Sequence, residues 1–317
     1  MMNQLAVIDA ETVCRNLSFE TAIGVVREAM QSLSAGDVAQ LLRSFVPVKP
    51  GHIFALMPAA DKRSGYFGAK LVSVFPNASG QVQHAGMIVL FSQESGQPVC
   101  LVDGEEVTRI RTAAASAVAT DALAHHDAGV LAVLGCGKQG RAHIESIATL
   151  RPLREVRVWD MVPERAAAVA QELNASGRWR VVAPDDAQSA VRGAEIICTV
   201  TPAVEPVLHG AWVSAGAHVN VVGSSTPGPR EIDRDLVVKS RFFVDHREHV
   251  LLHGAEFLEA KAAGAIGDDH ILGEIGAVLN GTCAGRCSAD EITLYKSLGH
   301  AVQDIAASAW LYEHACK

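Results

Sequence analysis

The sequence predicts an α/β protein, a doubly wound parallel sheet joined to a second α+β domain, and three observations carry that reading. Gly135-Cys136-Gly137-Lys138-Gln139-Gly140 sets G-x-G-x-x-G between an apolar run, Val130 to Leu134, and alanine-rich sequence with helical spacing. From Gly129 onward, strand-like and helix-like stretches alternate, the texture of a parallel sheet covered by helices. Before Asp103, strand-like stretches follow one another with no helix between them, which implies a largely antiparallel or mixed sheet. The domain expected to bind a dinucleotide spans residues 118–298. Residues 1–117 and 299–317, the second span carrying a final helix, form the other.

Taken in order, Ser18 is placed to cap a helix from Phe19 to Ala35, with apolar residues at three- and four-residue spacings and Gly36 as its stop. Strands are expected at Arg43 to Val48, His52 to Met57, Tyr66 to Phe75, Gly86 to Phe91 and Val99 to Val102. Asp103-Gly104-Glu105-Glu106 resembles a capping box and opens an alanine-rich helix leading out of the first domain. The second half reads as strands at Val130–Leu134, Val156–Asp160, Arg178–Val182, Glu195–Thr201, His218–Gly223 and Phe242–Asp245, with helices from Lys138, Pro163 and Asp185. Residues 248–270 read as a helical excursion, and a last helix is expected from Ser288 to about Glu313.

Composition narrows the function classes. Of 317 residues, 49% are hydrophobic and 20% charged, enough for a substantial core and too apolar for disorder. The net charge of −8, with no basic run, argues against a nucleic-acid partner. No apolar run approaches the roughly 20 residues of a membrane span, and the N-terminus carries acids rather than a basic leader. Seven scattered cysteines read as reduced thiols of a cytoplasmic enzyme; Cys283 and Cys287 lack a second ligand pair, so no metal site is expected.

The chemistry-bearing residues fall into two groups. In the fingerprint, Gly135 allows the tight turn, Gly137 lets backbone approach a pyrophosphate, and Gly140 permits close packing of helix on strand. Asp160 ends the next strand about 20 residues on, where a carboxylate accepts a hydrogen bond from a ribose 2′-hydroxyl and repels a 2′-phosphate. NAD(H) is therefore favoured; Arg165 nearby leaves NADP(H) open. Thr199-Val200-Thr201 and Gly223-Ser224-Ser225-Thr226 stand at other strand ends, where ligands of such sheets bind. In the first domain Lys70 shares a strand face with Gly68, Val72 and Val74, and from the period alone a snorkelling edge lysine is the plainer reading. Arg43 and Arg111 are cations of the kind that clamp a carboxylate, with ordinary surface charge as the alternative.

With these residues in view, nearly the whole chain resembles the ornithine cyclodeaminase/mu-crystallin family. The resemblance rests on Arg43 upstream of Val46-Pro47, Leu56-Met57-Pro58, Ala69-Lys70-Leu71-Val72, and Asp103-Gly104 leading to Arg111-Thr112-Ala113-Ala114-Ala115-Ser116. It continues through Gly135-Cys136-Gly137-Lys138-Gln139, Thr199-Val200-Thr201 with Glu205-Pro206, Gly216-Ala217-His218-Val219-Asn220 with Gly223, and Ser297-Leu298-Gly299. It implies that Arg43, Lys70 and Arg111 surround the carboxylate of a small amino or imino acid. Lys138, Gln139, Thr112, Thr199, Val200, Thr201, Gly223 and Leu298 would then serve the cofactor, and the protein would be a homodimer paired through N-terminal sheets. Two departures bear on activity. Ornithine cyclodeaminases of the family carry an acid where this chain has Ser225 and another where it has Ala55. Those acids neutralise a second ammonium group when it is desolvated, so their absence points away from cyclodeamination. The chain is more similar to ketimine reductase-like members, with hydride delivered to C2 of a 2-imino acid such as pyrroline-2-carboxylate. His84, Ser225 and Thr226 are further substrate contacts on this resemblance. An NAD-using ammonia lyase, a dehydrogenase forming alanine or aspartate, and a non-catalytic binding protein are the competing expectations.

Overall fold

The computed structural model describes residues 5–76 and 82–315, and the chain divides into two units, residues 1–112 with 300–317 and residues 113–299. The first unit opens with β1 (Ala6–Ile8), α1 (Ala10–Asn16), α2 (Phe19–Ser34) and β2 (Val38–Gln40). Asp9 and Ser18 cap the two helices, each side chain accepting a backbone N–H three residues on. There follow β3 (Ser44–Lys49), β4 (His52–Asp61), β5 (Tyr66–Pro76), β6 (Val82–Ser92) and β7 (Pro98–Asp103). Their sheet runs β1-β7-β6-β5-β4-β2, with β3 also on β4; only the β1–β7 pairing is parallel. Four elements, β1, α1, β2 and an extended β6, go beyond the sequence expectation. The short strands lack a full alternation of apolar residues, so nothing local announces them.

α3 (Gly104–Leu123) starts where Asp103 Oδ1 accepts the Glu106 N–H at 2.7 Å. Its first residues belong to the first unit and the rest to the second. The C-terminal helix (Ala301–Ala315) completes the first unit, packed on α2, β4, β5 and β6.

The second unit holds β8 (Val130–Leu134), α4 (Lys138–Ala148), β9 (Glu155–Trp159), α5 (Pro163–Ala175), β10 (Arg180–Val182), α6 (Ala187–Val191), β11 (Ile196–Thr199) and β12 (His218–Val221). It continues with α7 (Arg234–Lys239), β13 (Arg241–Val244), α8 (Arg247–His253), α9 (Ala255–Ala262), β14 (Ile271–Glu274), α10 (Ile275–Leu279) and β15 (Thr293–Lys296). The sheet order is β10-β9-β8-β11-β12-β15-β13-β14, every pairing parallel. The chain order reverses between β8 and β11, the switch point at which such sheets bind their ligands. Leu131, Val133, Ile197, Val219, Phe242 and Leu294 are fully buried at its centre, as parallel strands covered on both faces require.

One expectation is overturned. The stretch from Ser288 is not a continuous helix: Thr293-Leu294-Tyr295-Lys296 is a strand inserted between β12 and β13, and helix begins only at Ala301. The apparent N-cap at Ser288 works in reverse, since its backbone N–H and that of Cys287 both donate to Glu291 Oε2, which closes a turn. All four strand residues are buried, so the strand has no polar face to reveal its period. Among the described residues, no helix is long and apolar enough to cross a membrane, and no group of three acids, histidines or cysteines is placed to hold a metal.

Candidate active site

In the first unit the strand period puts Lys70 on the covered face of β5, beneath the C-terminal helix, and the bland edge reading fails: its side chain is only 7% exposed. A lysine that cannot reach water needs partners. Its Nζ lies 3.2 Å from Asp304 Oδ1 on the C-terminal helix and also donates to the Thr108 hydroxyl of α3. The same Asp304 oxygen accepts from Arg111 Nε at 3.1 Å, and Arg111 Nη1 donates to Gln303 Oε1 at 3.0 Å. One fully buried carboxylate therefore bridges the two cations. Burial pushes Asp304 up, but the Arg111 and Lys70 charges more than reverse this, and it stays below the usual carboxylate range. Lys70 is lowered to about 8, by burial first and then by Arg111 and Arg43, with Asp304 opposing.

Arg43 stands immediately before β3 rather than on it, and its charge is felt at both Lys70 and His84. His84 lies on β6 opposite Val74 and is exposed. Partial desolvation, then the positive charges of Lys70 and Arg43, hold it below the ordinary histidine value. The structure thus gathers Lys70 and Arg111 about Asp304, with Arg43 and His84 within electrostatic range. Thr112, the last residue of this unit before the chain enters the other, is buried on α3. Asp304 and Gln303 were absent from the sequence reading.

In the second unit the fingerprint forms the turn between β8 and α4. Gly135 adopts φ +111°, and a methyl added at Gly140 would overlap the Gly135 carbonyl oxygen, so the helix can start this close to the strand only with glycine there. Gly137 is the N-cap of α4 with no side chain capping it, and a methyl there would meet nothing within 4 Å. Open space before uncapped helix N–H groups suits a pyrophosphate. Lys138 is exposed and Gln139 half-buried on the first turn of α4. Asp160 Oδ2 accepts the Cys136 N–H at 2.9 Å and Oδ1 accepts the Val162 N–H at 3.0 Å, which fixes the carboxylate beside the glycine turn. Burial and Asp160 push the Cys136 thiol up to about 12, so it is no nucleophile.

The other strand-end residues are held by buried acids. The Thr199 and Thr201 hydroxyls donate to buried Glu231 at 2.9 and 2.8 Å rather than standing free for a sugar, while Val200 remains half-buried between them. Gly223 donates its N–H to the same glutamate, and beyond it Ser225 is half-buried and Thr226 exposed. Leu298 is buried, its N–H and that of Gly299 both donating to Asp245 Oδ2 at 2.6 and 2.7 Å. Glu231 and Asp245 carry no local motif; Asp245 directly follows β13, but Glu231 sits ten residues beyond β12 with nothing local to mark it.

A model of the ornithine cyclodeaminase/mu-crystallin family matches residues 3–317. The ketimine reductase mu-crystallin of Mus musculus is 36% identical over 281 residues, which cover 88% of this chain and 86% of the mouse protein. Among solved structures, Thermococcus litoralis Delta(1)-pyrroline-2-carboxylate reductase in complex with NADH and L-proline aligns with a TM-score of 0.94 at 29% identity, covering 98% of each chain. An archaeal alanine dehydrogenase dimer with bound NAD aligns with a TM-score of 0.92 at 29% identity, covering 98% of this chain and 96% of that one.

Proposed function

The chain belongs to the ornithine cyclodeaminase/mu-crystallin family, and from that premise we propose that it is an NAD(H)-dependent reductase of small 2-imino acids. The observation that carries the proposal is the buried pair of cations on one carboxylate, Lys70 and Arg111 on Asp304. Two cations against one anion leave a net positive charge in a desolvated place, which a substrate carboxylate neutralises. The first unit therefore supplies an anion site for an amino or imino acid, and the second a dinucleotide turn with a carboxylate that rejects a 2′-phosphate.

Bound NADH supplies the hydride. Arg111 and Arg43 hold the substrate carboxylate and so orient C2, the proximity contribution to catalysis. Lys70 shares that carboxylate and, with its pKa near neutrality, keeps the imine nitrogen protonated as C2 is reduced. Ser225 and Thr226 shape the pocket around the substrate, and His84 is a secondary proton carrier. Ala55 is buried on β4 with no acid beside it in sequence, and Ser225 offers no charge to a second ammonium group. Both favour an imine over a diamino acid. The relatives named as a ketimine reductase and a pyrroline-2-carboxylate reductase support the same reading.

The test is a panel in which NADH oxidation is followed with pyrroline-2-carboxylate, with a six-membered cyclic ketimine, and with pyruvate or oxaloacetate plus ammonia or methylamine. Rapid oxidation with a cyclic or open imine is expected, and NADPH is expected to serve more poorly. Release of ammonia from L-ornithine with no imine reduced would overturn the proposal, as would NADH binding with no turnover of any imine.

We further propose that two copies pair through the N-terminal sheet. All six residues of β3 are exposed, and Phe45, Val46 and Val48 remain 45%, 48% and 55% accessible, an apolar edge that a lone chain would not leave to water. Val46→Asp is expected to convert a dimer into a monomer by light scattering after size-exclusion chromatography. A monomeric wild-type protein would refute the pairing.

A further inference from the structure

β11 and β12 end side by side, with Thr199 opposite Val221, and both strands turn outward at the end where ligands of a doubly wound sheet bind. Asp160, after β9, marks the adenosine half of a dinucleotide. The remaining half of a bound dinucleotide would cross the switch point toward β11 and β12, and the loops leaving these strands would form the wall for its nicotinamide ring. Backbone bonds already link the two loops, Val222 N–H to the Thr199 carbonyl and Arg230 N–H to the Val204 carbonyl among them. At their roots both also converge on one side chain, that of Glu231, which is fully buried. Its Oε1 accepts the Thr201 N–H at 2.6 Å and the Thr201 hydroxyl at 2.8 Å. Its Oε2 accepts the Gly223 N–H at 2.5 Å and the Thr199 hydroxyl at 2.9 Å. The fit admits no side chain at Gly223, where a methyl would overlap the Thr201 carbonyl oxygen and meet Glu231 Oε1.

A second anchor lies behind the first. Glu256 Oε1 accepts the Ser224 hydroxyl at 2.6 Å and the Glu231 N–H at 3.1 Å. Lys296, on β15, sits 2.9 Å from Glu256 Oε2 and donates to the Ser224 carbonyl at 2.8 Å and hydroxyl at 2.6 Å. Three ionisable side chains are thus withdrawn from water in one place. For stability alone, apolar residues of the same volume would serve as well or better. What the charged set provides instead is a fixed geometry for two loops.

We propose that Glu231 is a positioning residue that ties the loop after β11 to the loop after β12 and so sets the nicotinamide wall, with the Lys296–Glu256 pair as its support. The proposal rests on the NAD(H) reading and is independent of which imine is reduced. Each oxygen of Glu231 faces a backbone N–H that cannot turn away. An amide in its place must set its NH2 against one of the two, and the root of that loop loses its anchor and shifts.

The experiment compares wild-type protein with Glu231→Gln by two readouts that need no substrate: NADH affinity by fluorescence titration, and the circular dichroism induced in the nicotinamide absorption band of bound NADH. Because the glycine turn and Asp160 are untouched, NADH affinity is expected to stay within about threefold, a change of well under the 1.4 kcal/mol that tenfold represents. The induced band is expected to fall by more than half. Thr199→Val, which deletes one donor and spares both backbone contacts, is expected to weaken the band less, and it provides the same comparison if Glu231→Gln does not fold. Wild-type bands in both variants, or loss of NADH binding in step with the band, would overturn the proposal. A strong wild-type band with no imine reduced would fault the substrate assignment alone.

Discussion

Lys70→Ala is expected to lower kcat/KM for imine reduction by about 1,000-fold or more while NADH binds as tightly as in the wild-type protein. Proton transfer by a placed side chain contributes about 100- to 10,000-fold, and the variant also loses one of the cations that hold the substrate carboxylate. The dinucleotide turn belongs to the other unit of the chain and is left intact. A pH signature accompanies the loss. Lys70 is lowered to about 8, so its ammonium form is complete below that pH and disappears as pH rises through it. Binding of a carboxylate product such as L-proline should weaken across the same range in the wild-type protein and show no such step in Lys70→Ala. Calorimetric titration over pH checks this, with the amine of proline titrating well above the window. Turnover that survives the substitution would reduce Lys70 to a packing residue.

Asp304→Asn is expected to act first on stability. The side chain is fully buried, and both Lys70 and Arg111 depend on its charge. Removing one partner of a buried ion pair costs about 3 to 5 kcal/mol because a charge is left uncompensated. For a protein of this size that is a fall on the order of 10 °C in Tm. Arg111 cannot shed its proton and Lys70 can, so Lys70 titrates at a still lower pH in the variant, and the step in product binding moves with it. Adding Lys70→Met to Asp304→Asn should recover part of the stability and none of the turnover. Differential scanning calorimetry of the three proteins separates these outcomes; an unchanged Tm in Asp304→Asn would show that the pair contributes nothing to the fold.

What could be read from the sequence was what short-range pattern encodes. Val130–Leu134 with Gly135–Gly140 is a contiguous statement of strand, turn and helix, and the structure reproduces it residue for residue. The alternation around Lys70 identified its face correctly but not the company it keeps, because its carboxylate lies 234 positions along the chain. Arg111 meets the same acid across 193 positions. No window of sequence contains such a pair. A local signal did exist: Gln303-Asp304 is a polar couple on the buried side of an alanine-rich helix. It was obscured because the preceding acids near Ser288 imitate a helix start, hiding β15 and shifting the expected helix by more than three turns. Glu231 failed to register for a related reason. An acid in a loop reads as solvated until its four donors are seen converging on it.

The C-terminal helix has a consequence for how the protein is made. Lys70 and Arg111 leave the ribosome long before Asp304, with the whole of residues 113–299 synthesised in between. At about 5 to 20 residues per second, that interval is on the order of ten seconds or more. Throughout it Lys70 and Arg111 are two cations without their counter-charge, and the sheet face of β4, β5 and β6 lacks its covering helix. The later-born unit, by contrast, has all of its strands available as soon as β15 emerges. The order of assembly is therefore the reverse of the order of translation: the inserted unit closes first, and the unit that began earlier waits for the helix Ala301–Ala315 before its two cations share their carboxylate.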